Sequence, residues 1–500
     1  MTTRYADAIA AAEKLTANGP PPTPSNKFFG VGPITDMTEG VEGALKAQRD
    51  FADWVTKRYR KLSDTGVDLG GFTTGELARS MHRGYPADAI LLDMARKIHS
   101  YFGYPKVNRM AIGLGGGHSG FTSAALHMLS AGDPDQGVYI DTPKPETDAA
   151  GKGGFFRQSW AAQILEMYRL ARNGDESLLH YAQGEGAIPS AQDLAAKGVK
   201  IFFGVGHETT GATTYTESEI RSLLEWLAMD RENHHAVMDA TSLLGAMTWP
   251  EDVRREFNAR TCQFMPFQKA IGGVSGYFAI VLTPQARAHI DKNMETPSWS
   301  IPRQLKIAVP VDGQRLLSSA RSTDGGPFYD PETDQMIGGI INTYHTLAFA
   351  ETTFGLERFE KLVGSVEDMT RRSVANRDFV NDWIDENPIF ELAVSDPARR
   401  GGAVTLIKVN DPDITNSDLH TRVLARSKQV VGYEGITRVD GTYEPGLDAA
   451  RYVNAFPGTP GDYRAWIGGI RPNEDIKRLL DNLYYAWLRA KIDVLERVEE

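Results

Sequence analysis

The sequence predicts an α/β protein with one large, mostly parallel β-sheet flanked by helices and a smaller α+β domain at its C-terminal end. Between about residues 86 and 283, amphipathic helical patterns alternate with short apolar runs, an order that is typical of βαβ units. Helical patterns at 344–363, 365–385 and 473–498 then surround a few strand-like runs such as AVTLIKV, which predicts the second domain. The runs of the large domain that we expect to form strands are RMAIGL, GVYIDT, VKIFFGVG, HAVMDAT and YFAIVLT.

The chain divides into four segments on this basis. Residues 1–27, which contain the Pro-rich stretch ANGPPPTPSNK, are expected to form an extended lead-in. An N-terminal segment, 28–85, leads into the large domain, 86–340, and the smaller domain covers 341–500. Within the large domain, the stretch 311–336 is predicted to be an irregular insertion with turns at DGG and DPET.

Composition and charge narrow the classes of protein to which the chain can belong. Of its 500 residues, 41% are hydrophobic, enough for one large core or for two or three domains. The net charge of −11 is spread along the chain, so a nucleic-acid partner is not expected. Because Cys262 is the only cysteine, an internal disulfide and a cysteine-rich zinc site are excluded. Since no apolar run is long enough for a signal peptide or a membrane span, we expect a cytoplasmic protein. No bound metal is expected either.

A glycine-rich loop lies between a predicted strand and a predicted helix in RMAIGLGGGHSGFTSAALHML. Glycines at such a turn let backbone N–H groups approach an anion, and the helix N-terminus adds a favourable dipole, so a phosphate site is the natural inference. Two other interpretations stay open. Packing alone can require a tight glycine turn, and Gly115, Gly117 and Gly120 satisfy the pattern G-x-G-x-x-G of a nicotinamide enzyme, in which Asp141 would bind the ribose.

A carboxylate and an amine follow at the ends of later apolar runs. Asp239 ends the run HAVMD, where an Asp either caps the next turn or pairs with a pyridinium nitrogen. Lys269 stands between the apolar run FMPFQ and the glycines of GGVSG. Such a lysine is either solvated on a turn or used covalently, because an amine of lowered pKa can bond to the aldehyde of pyridoxal phosphate. A phosphate loop, an Asp and a Lys on an α/β scaffold explain more of the sequence than a dinucleotide site does.

From about residue 28 to 485, the chain resembles the class V (fold-type I) aminotransferases, which depend on pyridoxal phosphate, and within them the phosphoserine aminotransferases. The resemblance is carried by short motifs that occur in the family's order, of which MDATS, QKAIGG and INT are the most specific. The complete set is SMHRGYP, GGGHSGFTSAALHML, RQSWAAQILEMYRLA, GHETTGA, MDATS, QKAIGGVSG, IINTYHT and YRAWIGG. The resemblance implies the fold-type I fold, an aminotransferase activity and pyridoxal phosphate as cofactor.

The resemblance also implies a role for each matching residue. Asp239 would pair with the pyridinium nitrogen, Lys269 would carry the cofactor covalently, Trp160 would stack on its ring and Thr209 would contact its ring oxygen. The residues that would hold the cofactor phosphate are Gly116, Gly117, His118, Ser119 and Gln268.

Further matches concern the substrate and the partner subunit. Arg464 would grip the substrate α-carboxylate, and His82 and Arg83, in the N-terminal segment, would bind the rest of the substrate. Asn342 and Thr343 would reach the phosphate of the neighbouring subunit's cofactor. The resemblance therefore implies a homodimer with its sites at the subunit interface.

Two departures from the family bear on the substrate. In its best-known branch an arginine stands where this chain has His118, and a His-Arg pair stands where this chain has Pro457 and Gly458. A phosphorylated substrate would lose positive partners. Another branch, whose TPSW and INT motifs are similar to TPSWSIP and INTYHT here, also lacks that pair. The histidines that could compensate are His127, His207 and His345.

The residues and the resemblance together predict transamination of a small acidic amino acid by a ping-pong mechanism, with phosphoserine as the leading donor and 2-oxoglutarate as the acceptor. The alternatives are another class V enzyme, such as an alanine- or serine-glyoxylate aminotransferase or a lyase, a non-catalytic protein that binds the cofactor, and a nicotinamide dehydrogenase. A cysteine desulfurase is disfavoured because Cys262 lies just upstream of the lysine rather than on a distant loop.

Overall fold

The computed structural model of the chain describes residues 2–19, 21, 40–81, 84–129, 135–145, 156–184, 186–295, 328–337, 344–414, 416–428, 436–437, 443–444 and 461–499. Its helices are α1 (Thr2–Thr16), α2 (Gly40–Arg58), α3 (Thr74–Arg79), α4 (Ala87–Tyr101), α5 (Gly117–Leu129), α6 (Phe156–Ala171), α7 (Ala191–Ala196), α8 (Glu217–Met229), α9 (Glu251–Arg260), α10 (Pro284–Glu295), α11 (Thr346–Val363), α12 (Val366–Glu386), α13 (Ser417–Ser427) and α14 (Asn473–Glu499).

Its strands are β1 (Arg60–Leu62), β2 (Asp68–Gly71), β3 (Arg109–Leu114), β4 (Gly137–Ile140), β5 (Leu179–Tyr181), β6 (Val199–Val205), β7 (His207–Glu208), β8 (Thr213–Thr214), β9 (His235–Asp239), β10 (Cys262–Pro266), β11 (Tyr277–Leu282), β12 (Phe328–Asp330), β13 (Gln335–Ile337), β14 (Phe390–Leu392), β15 (Val404–Val409), β16 (Ile436–Thr437), β17 (Tyr443–Glu444) and β18 (Tyr463–Trp466).

Within the described residues, the large sheet has nine strands in the order β13-β12-β3-β11-β10-β9-β6-β4-β5. Strands β10, β9, β6, β4 and β5 pair in parallel, and β11 is antiparallel to both of its neighbours, β10 and β3. Strand β3 therefore runs in the same direction as the parallel group, and its carboxyl end lies at the same edge of the sheet. The α/β fold expected from the alternation of apolar runs and helical patterns is confirmed, and all five expected runs form strands.

Helices cover both faces of this sheet, which explains why its strands read as continuous apolar runs rather than as alternating patterns. Met110 and Ile112 of β3 point into a core formed with α4, α8, α9 and α11. Ala111, between them, points into a second core formed with α5, α6 and α10. Because the helices cover the two faces, ligands can reach the sheet at the loops that follow the carboxyl ends of the parallel strands.

The smaller domain is built on a three-stranded antiparallel sheet, β14-β15-β18. One face of the sheet, which includes Ile407 and Tyr463, packs with α12, α13 and α14. The opposite face, which includes Leu406 and Trp466, packs with Ala212 and so turns toward the large domain. No helix among the described residues is long and apolar enough to cross a bilayer, and no group of three or more His, Cys, Asp or Glu side chains among them is arranged to hold a metal ion.

Residues 2–16 form helix α1, where the sequence predicted an extended lead-in. Ala8 and Ala12 of this helix are buried, and Ala12 packs against Leu488 and Ile492 of α14. The helix was missed because its buried residues are mostly alanines, which have a high helix propensity but give weak amphipathic contrast. The Pro-rich stretch that follows lies mostly outside the described residues.

Residues 328–337 form the hairpin of β12 and β13 at the edge of the large sheet, where the sequence predicted irregular structure. Strand β12 pairs with β3, and the expected turn at DPET joins β12 to β13. Asp330 is buried and pairs with Arg109 at 2.9 Å, while Phe328 packs under the guanidinium of Arg287. The prediction was wrong for these residues because three-residue strands are too short to show an alternating pattern. The remainder of the stretch lies outside the described residues.

Candidate active site

The glycine loop lies at the carboxyl edge of the large sheet. Strand β3 leads directly into the loop, and α5 begins at Gly117. Gly115 has φ of 135° and donates its N–H to the carbonyl of Gly276 at 2.8 Å. A side chain on Gly115 would be strained by this backbone conformation and would also stand 2.8 Å from Cβ of Ser119. The turn thus needs glycine, and it brings the N-terminus of α5, with its unsatisfied N–H groups, to this edge.

Most of the expected phosphate-binding residues lie together at this helix terminus. A Cβ placed on Gly116 would be 3.9 Å from Nε2 of Gln268, so the Gln268 amide lies beside the loop. Ring atom Nε2 of His118 is 3.1 Å from the hydroxyl of Ser159 on α6. Burial lowers the pKa of His118, which favours the neutral imidazole, and Ser119 is exposed. An anion at this place would meet N–H groups and a side-chain amide.

Asp239 ends β9 at the same edge and is only 1% exposed. Its Oδ1 accepts hydrogen bonds from the N–H of Thr241, at 2.8 Å, and from the Thr241 hydroxyl. Its Oδ2 is buried and accepts no hydrogen bond from any residue that the structure describes. Burial raises the pKa of Asp239 to about 6; the Thr241 hydrogen bonds oppose this rise, the charge of Glu208 adds to it and that of Lys269 opposes it. A buried oxygen of this kind is suited to a ligand that brings an N–H donor.

Lys269 lies in the wide turn Phe267–Ile271 that follows β10. Its Nζ is 5.0 Å from the centre of the Trp466 ring, which lies in the smaller domain. Burial lowers the pKa of Lys269 to about 8, with a further decrease from the charge of Arg464 and an opposing contribution from Asp239. The lysine therefore lies between the large domain and the smaller one instead of being solvated on a turn. Near physiological pH, a fraction of the molecules carry its amine in the neutral form.

Arg464 reaches the same place from strand β18 of the smaller domain. It pairs across the sheet with Leu406, and its Cζ is 5.6 Å from the centre of the Trp466 ring. Burial lowers the pKa of Arg464, and its charge acts on Lys269. A guanidinium beside a primary amine can bind a carboxylate while the amine acts on the neighbouring atom.

Thr209 and Trp160 occupy different surroundings. The Thr209 hydroxyl is 2.9 Å from that of Ser242 in a partly buried position. Trp160 is 1% exposed, and its ring centre is 4.1 Å from that of Phe121. Its indole Nε1 has no hydrogen-bond partner among the described residues. The structure thus shows the packing role of Trp160, and a contact between this residue and a cofactor remains a prediction.

Two of the alternative functions lose support because their key residues are buried. Asp141 is fully buried, and its Oδ2 accepts hydrogen bonds from the N–H of Val205, at 3.0 Å, and from the hydroxyl of Tyr215, so this oxygen serves the fold. Cys262 is buried in β10, and burial raises the pKa of its thiol to about 11. A nucleophilic cysteine needs the thiolate form, which this environment disfavours.

The histidines considered as additional cations are used within the fold. His127 is buried and hydrogen-bonds through Nδ1 to the carbonyl of Ser123 at 2.6 Å. His345 caps α11 by accepting the N–H of Ala348 at 3.2 Å, and His207 is buried in β7. Four expected site residues lie outside the described residues, and these are His82, Arg83, Asn342 and Thr343.

Glu208 and Trp466 were not predicted from the sequence as site residues, although both stand in motifs of the resemblance, GHETTGA and YRAWIGG. Glu208 is fully buried and acts electrostatically on Asp239. A carboxylate two positions after the end of the apolar run VKIFFGVG was the available signal. Trp466 could have been found from strand alternation, which places it on the same face of β18 as Arg464.

Comparison with solved structures shows that the chain has the fold of the fold-type I aminotransferases. No family model and no curated protein sequence matches the chain significantly. The chain is similar to the phosphoserine aminotransferase from Bacillus circulans subsp. alkalophilus, with a TM-score of 0.54 over 92% of this chain and 98% of that one at 15% identity.

Two further structures are similar to the same degree. The PLP-bound phosphoserine aminotransferase from Trichomonas vaginalis gives a TM-score of 0.54 at 14% identity and covers 92% of this chain and 99% of its own. The ureidoglycine-glyoxylate aminotransferase from Bacillus subtilis gives 0.54 at 12% identity, with coverage of 95% and 99%. At these identities the comparisons establish the fold.

Proposed function

We propose that the chain is a class V aminotransferase that depends on pyridoxal phosphate. One observation carries the proposal, namely the convergence of four groups on one edge of the large sheet. These groups are a buried carboxylate with an unused oxygen, an amine of lowered pKa, a glycine turn at a helix N-terminus and a guanidinium. Separate structural roles would not require them to meet. The similarity of the fold to three aminotransferase structures supports the same proposal.

The described residues fit this cofactor. Oδ2 of Asp239 would accept the pyridine N–H, the phosphate would lie at the N-terminus of α5 beside Gln268, and Nζ of Lys269 would bond to the aldehyde carbon. Thr209 and Trp160 would contact the ring. When bound, pyridoxal phosphate supplies an electron sink for the negative charge that develops at the substrate Cα.

The residues of the chain then have distinct tasks. Nζ of Lys269 removes the proton from the substrate Cα, and a pKa of about 8 suits a base that works near neutral pH. The Asp239 carboxylate keeps its partner nitrogen protonated. Arg464 holds the α-carboxylate through paired hydrogen bonds and so fixes Cα near the amine. The first product leaves before the second substrate binds, which gives ping-pong kinetics.

We infer that the amino donor is a small acidic amino acid, with phosphoserine as the leading candidate and 2-oxoglutarate as the acceptor. The support is the motif resemblance and the similarity to two phosphoserine aminotransferase structures. His118 favours a second candidate, because burial lowers its pKa and so favours the neutral imidazole where the family's best-known branch has a cation. Less positive charge at this place suits an unphosphorylated donor and a glyoxylate-linked reaction.

The proposed active unit is a cytoplasmic homodimer. Large apolar side chains are exposed in the N-terminal segment, on the β1–β2 hairpin and at Met81 and Tyr85, which stand on either side of the expected substrate residues His82 and Arg83 in the sequence. A second copy of the chain packed on this surface would remove it from water. In such a dimer, Asn342 and Thr343 would act on the neighbouring subunit's cofactor. The exposed side chains are those of Leu62, Val67, Leu69, Met81 and Tyr85.

A panel of amino acids distinguishes the candidates. The protein loaded with pyridoxal phosphate is mixed with phosphoserine, glutamate, alanine or serine, and conversion of the cofactor to its amine form is followed by absorbance. Phosphoserine and glutamate should convert it fastest if the leading candidate is right. Faster conversion by alanine or serine, with glyoxylate restoring the original spectrum, would select the glyoxylate-linked candidate. Conversion by no amino acid would contradict transamination.

A further inference from the structure

The ring of Trp466 lies between the large domain and the smaller one, within reach of two cations of the candidate site. Nζ of Lys269 lies over this ring at 5.0 Å from its centre, and Cζ of Arg464 lies at 5.6 Å from the same centre. Lys269 belongs to the large domain and Arg464 to the smaller one. The indole is therefore in contact with one cation from each domain.

The ring is firmly held in this place. Trp466 is 9% exposed and packs in an apolar cluster that includes Ala212 and Ala246 of the large domain and Val404 and Leu406 of β15. On the neighbouring strand β15, Val404 lies opposite Trp466, and Leu406 lies opposite Arg464. Since residues two apart on a strand share a face, Trp466 and Arg464 point to the same side of the small sheet.

Two like charges near one another need compensation. The charge of Arg464 disfavours the cationic form of Lys269, and the charge of Asp239 favours it. The face of an indole ring carries partial negative charge and attracts both ammonium and guanidinium groups, and a guanidinium also stacks on it. The ring of Trp466 can therefore hold both cations where a purely apolar side chain of similar size would not.

We propose that Trp466 is a positioning residue of the site, whose indole face holds the Lys269 amine in place and orients the Arg464 guanidinium for the substrate carboxylate. The substrate part of this assignment depends on the proposed transamination, whereas the interaction with Lys269 does not. Loss of the aromatic face should weaken both interactions, and loss of volume alone should weaken neither.

The first test measures the amine in the cofactor-free protein. Lys269 is labelled competitively with acetic anhydride across pH, and the extent of labelling of its peptide is read by mass spectrometry. Trp466→Leu should lower the pKa of Lys269 by about 0.4 to 1.5, because the ring stabilises the ammonium form. Trp466→Phe, which keeps an aromatic face, should shift it by less than half as much. If the Leu variant does not fold, Trp466→Met replaces it as the non-aromatic variant.

The second test measures carboxylate binding in the loaded protein. In the half-reaction with glutamate, Trp466→Leu should raise the dissociation constant roughly 2- to 30-fold while the limiting rate changes less, and Trp466→Phe should stay near the wild type. Equal effects of Phe and Leu in both tests, or no effect of either, would overturn the proposal. A labelling shift in a protein that takes up no pyridoxal phosphate would uphold the role toward Lys269 and overturn the proposed function instead.

Discussion

At the scale of single residues, the candidate site consists of ionisable groups that the fold holds in unfavourable surroundings. Asp239 carries a carboxylate with one buried oxygen that no described residue satisfies. Lys269 has its ammonium form disfavoured by burial and by Arg464. Groups of this kind are usually neutralised or paired unless a ligand uses them. The costs should therefore be measurable as stability changes in the protein without cofactor.

The variant Asp239→Asn should be more stable than the wild type in the cofactor-free state, by up to about 3 kcal/mol at pH 8. Because the pKa of Asp239 is raised from 3.8 to about 6, the folded state binds more protons than the unfolded state between these values, so stability falls as the pH rises through them. Above pH 6 the folded state bears the full free-energy cost of keeping Asp239 ionised. Asparagine does not ionise and keeps an oxygen for Thr241.

Urea unfolding of both proteins at pH 8 and at pH 4 measures this difference, which should be close to zero at pH 4. Thr241→Val is a useful control, since it removes a hydrogen bond to the carboxylate without removing the charge and should destabilise at pH 8. An Asn variant that is less stable than the wild type at both pH values would show that the carboxylate is not held ionised at a cost.

At the scale of elements, helix α14 is anchored in the smaller domain by a buried charge. Nζ of Lys491 donates to both oxygens of Asp411, at 3.1 and 3.0 Å, and to Asp413 at 2.8 Å. The indole of Trp487 donates to Asp411 at 2.8 Å. The side chains of Lys491 and Asp411 are 6% and 1% exposed, so their charges are almost completely removed from water. This cluster holds α14 against the loop that follows β15.

The variant Lys491→Met should destabilise the protein by about 3 to 5 kcal/mol, because it leaves the Asp411 carboxylate buried without its cation. Lys477→Met is the matched control on the same helix. Lys477 pairs with Asp481 at the surface, where side-chain exposures of 53% and 31% predict a change within about 1 kcal/mol. Denaturant unfolding at neutral pH compares the two, and equal effects would mean that the buried cluster does not anchor the helix.

At the scale of the whole molecule, the smaller domain is joined to the large one close to the candidate site. The Arg399 guanidinium donates hydrogen bonds to the Glu219 carboxylate at 2.6 Å and to the carbonyl of Gly186 at 3.1 Å. A backbone bridge joins Arg400 to Thr213. These contacts fix the position from which β18 presents Arg464 and Trp466 to the lysine, so the site depends on the relative placement of the domains.

Gly401→Ala should disturb this placement. A Cβ on Gly401 would lie 2.0 Å from Nε2 of His207, which directly precedes Glu208 and Thr209 in the candidate site. Overpacking here should lower the affinity for pyridoxal phosphate roughly tenfold. Gly468→Ala is the control, since its added Cβ would meet its nearest neighbour at 3.9 Å. Affinities from absorbance titration of the cofactor-free variants test this, and a Gly401 variant that binds like the control would contradict the coupling.

The proposed dimer can be tested through its exposed apolar surface. Replacing Leu62 and Leu69 with Asp on the β1–β2 hairpin should shift the protein toward a monomer, because the charges oppose burial of this surface. Leu362→Asp, at a 70% exposed position on α11, is the control for a charge added elsewhere. Analytical ultracentrifugation gives the masses. A wild-type protein that sediments as a monomer at micromolar concentration would contradict the dimer.

The sequence predicted those parts of the molecule that depend on long apolar runs and on specific residues at strand ends. The five strands of the large domain, the glycine turn, Asp239 and Lys269 lie where they were expected. The sequence failed where the signal was weak: the alanine-rich α1 has little amphipathic contrast, and the strands of the edge hairpin are too short for a pattern.

Contacts between domains could not be read from the sequence either. The approach of Trp466 to Lys269 joins residues from separate domains, and no local pattern encodes such a distance. The same holds for Glu208, which acts on Asp239 although the two residues are far apart in the sequence. For Trp160 the pattern suited both a core aromatic and a ring that stacks on a cofactor, and the structure shows the first of these contacts.

The most direct test of the account is covalent trapping of pyridoxal phosphate on the purified protein. The cofactor is added, the adduct is reduced with borohydride, and the labelled peptide is identified by mass spectrometry. We expect a single labelled site at Lys269, its loss in Lys269→Arg and its retention in Lys292→Arg, an exposed lysine on α10. No chromophore, or labelling spread over surface lysines and unchanged by Lys269→Arg, would contradict the proposal that this edge of the sheet is a pyridoxal phosphate site.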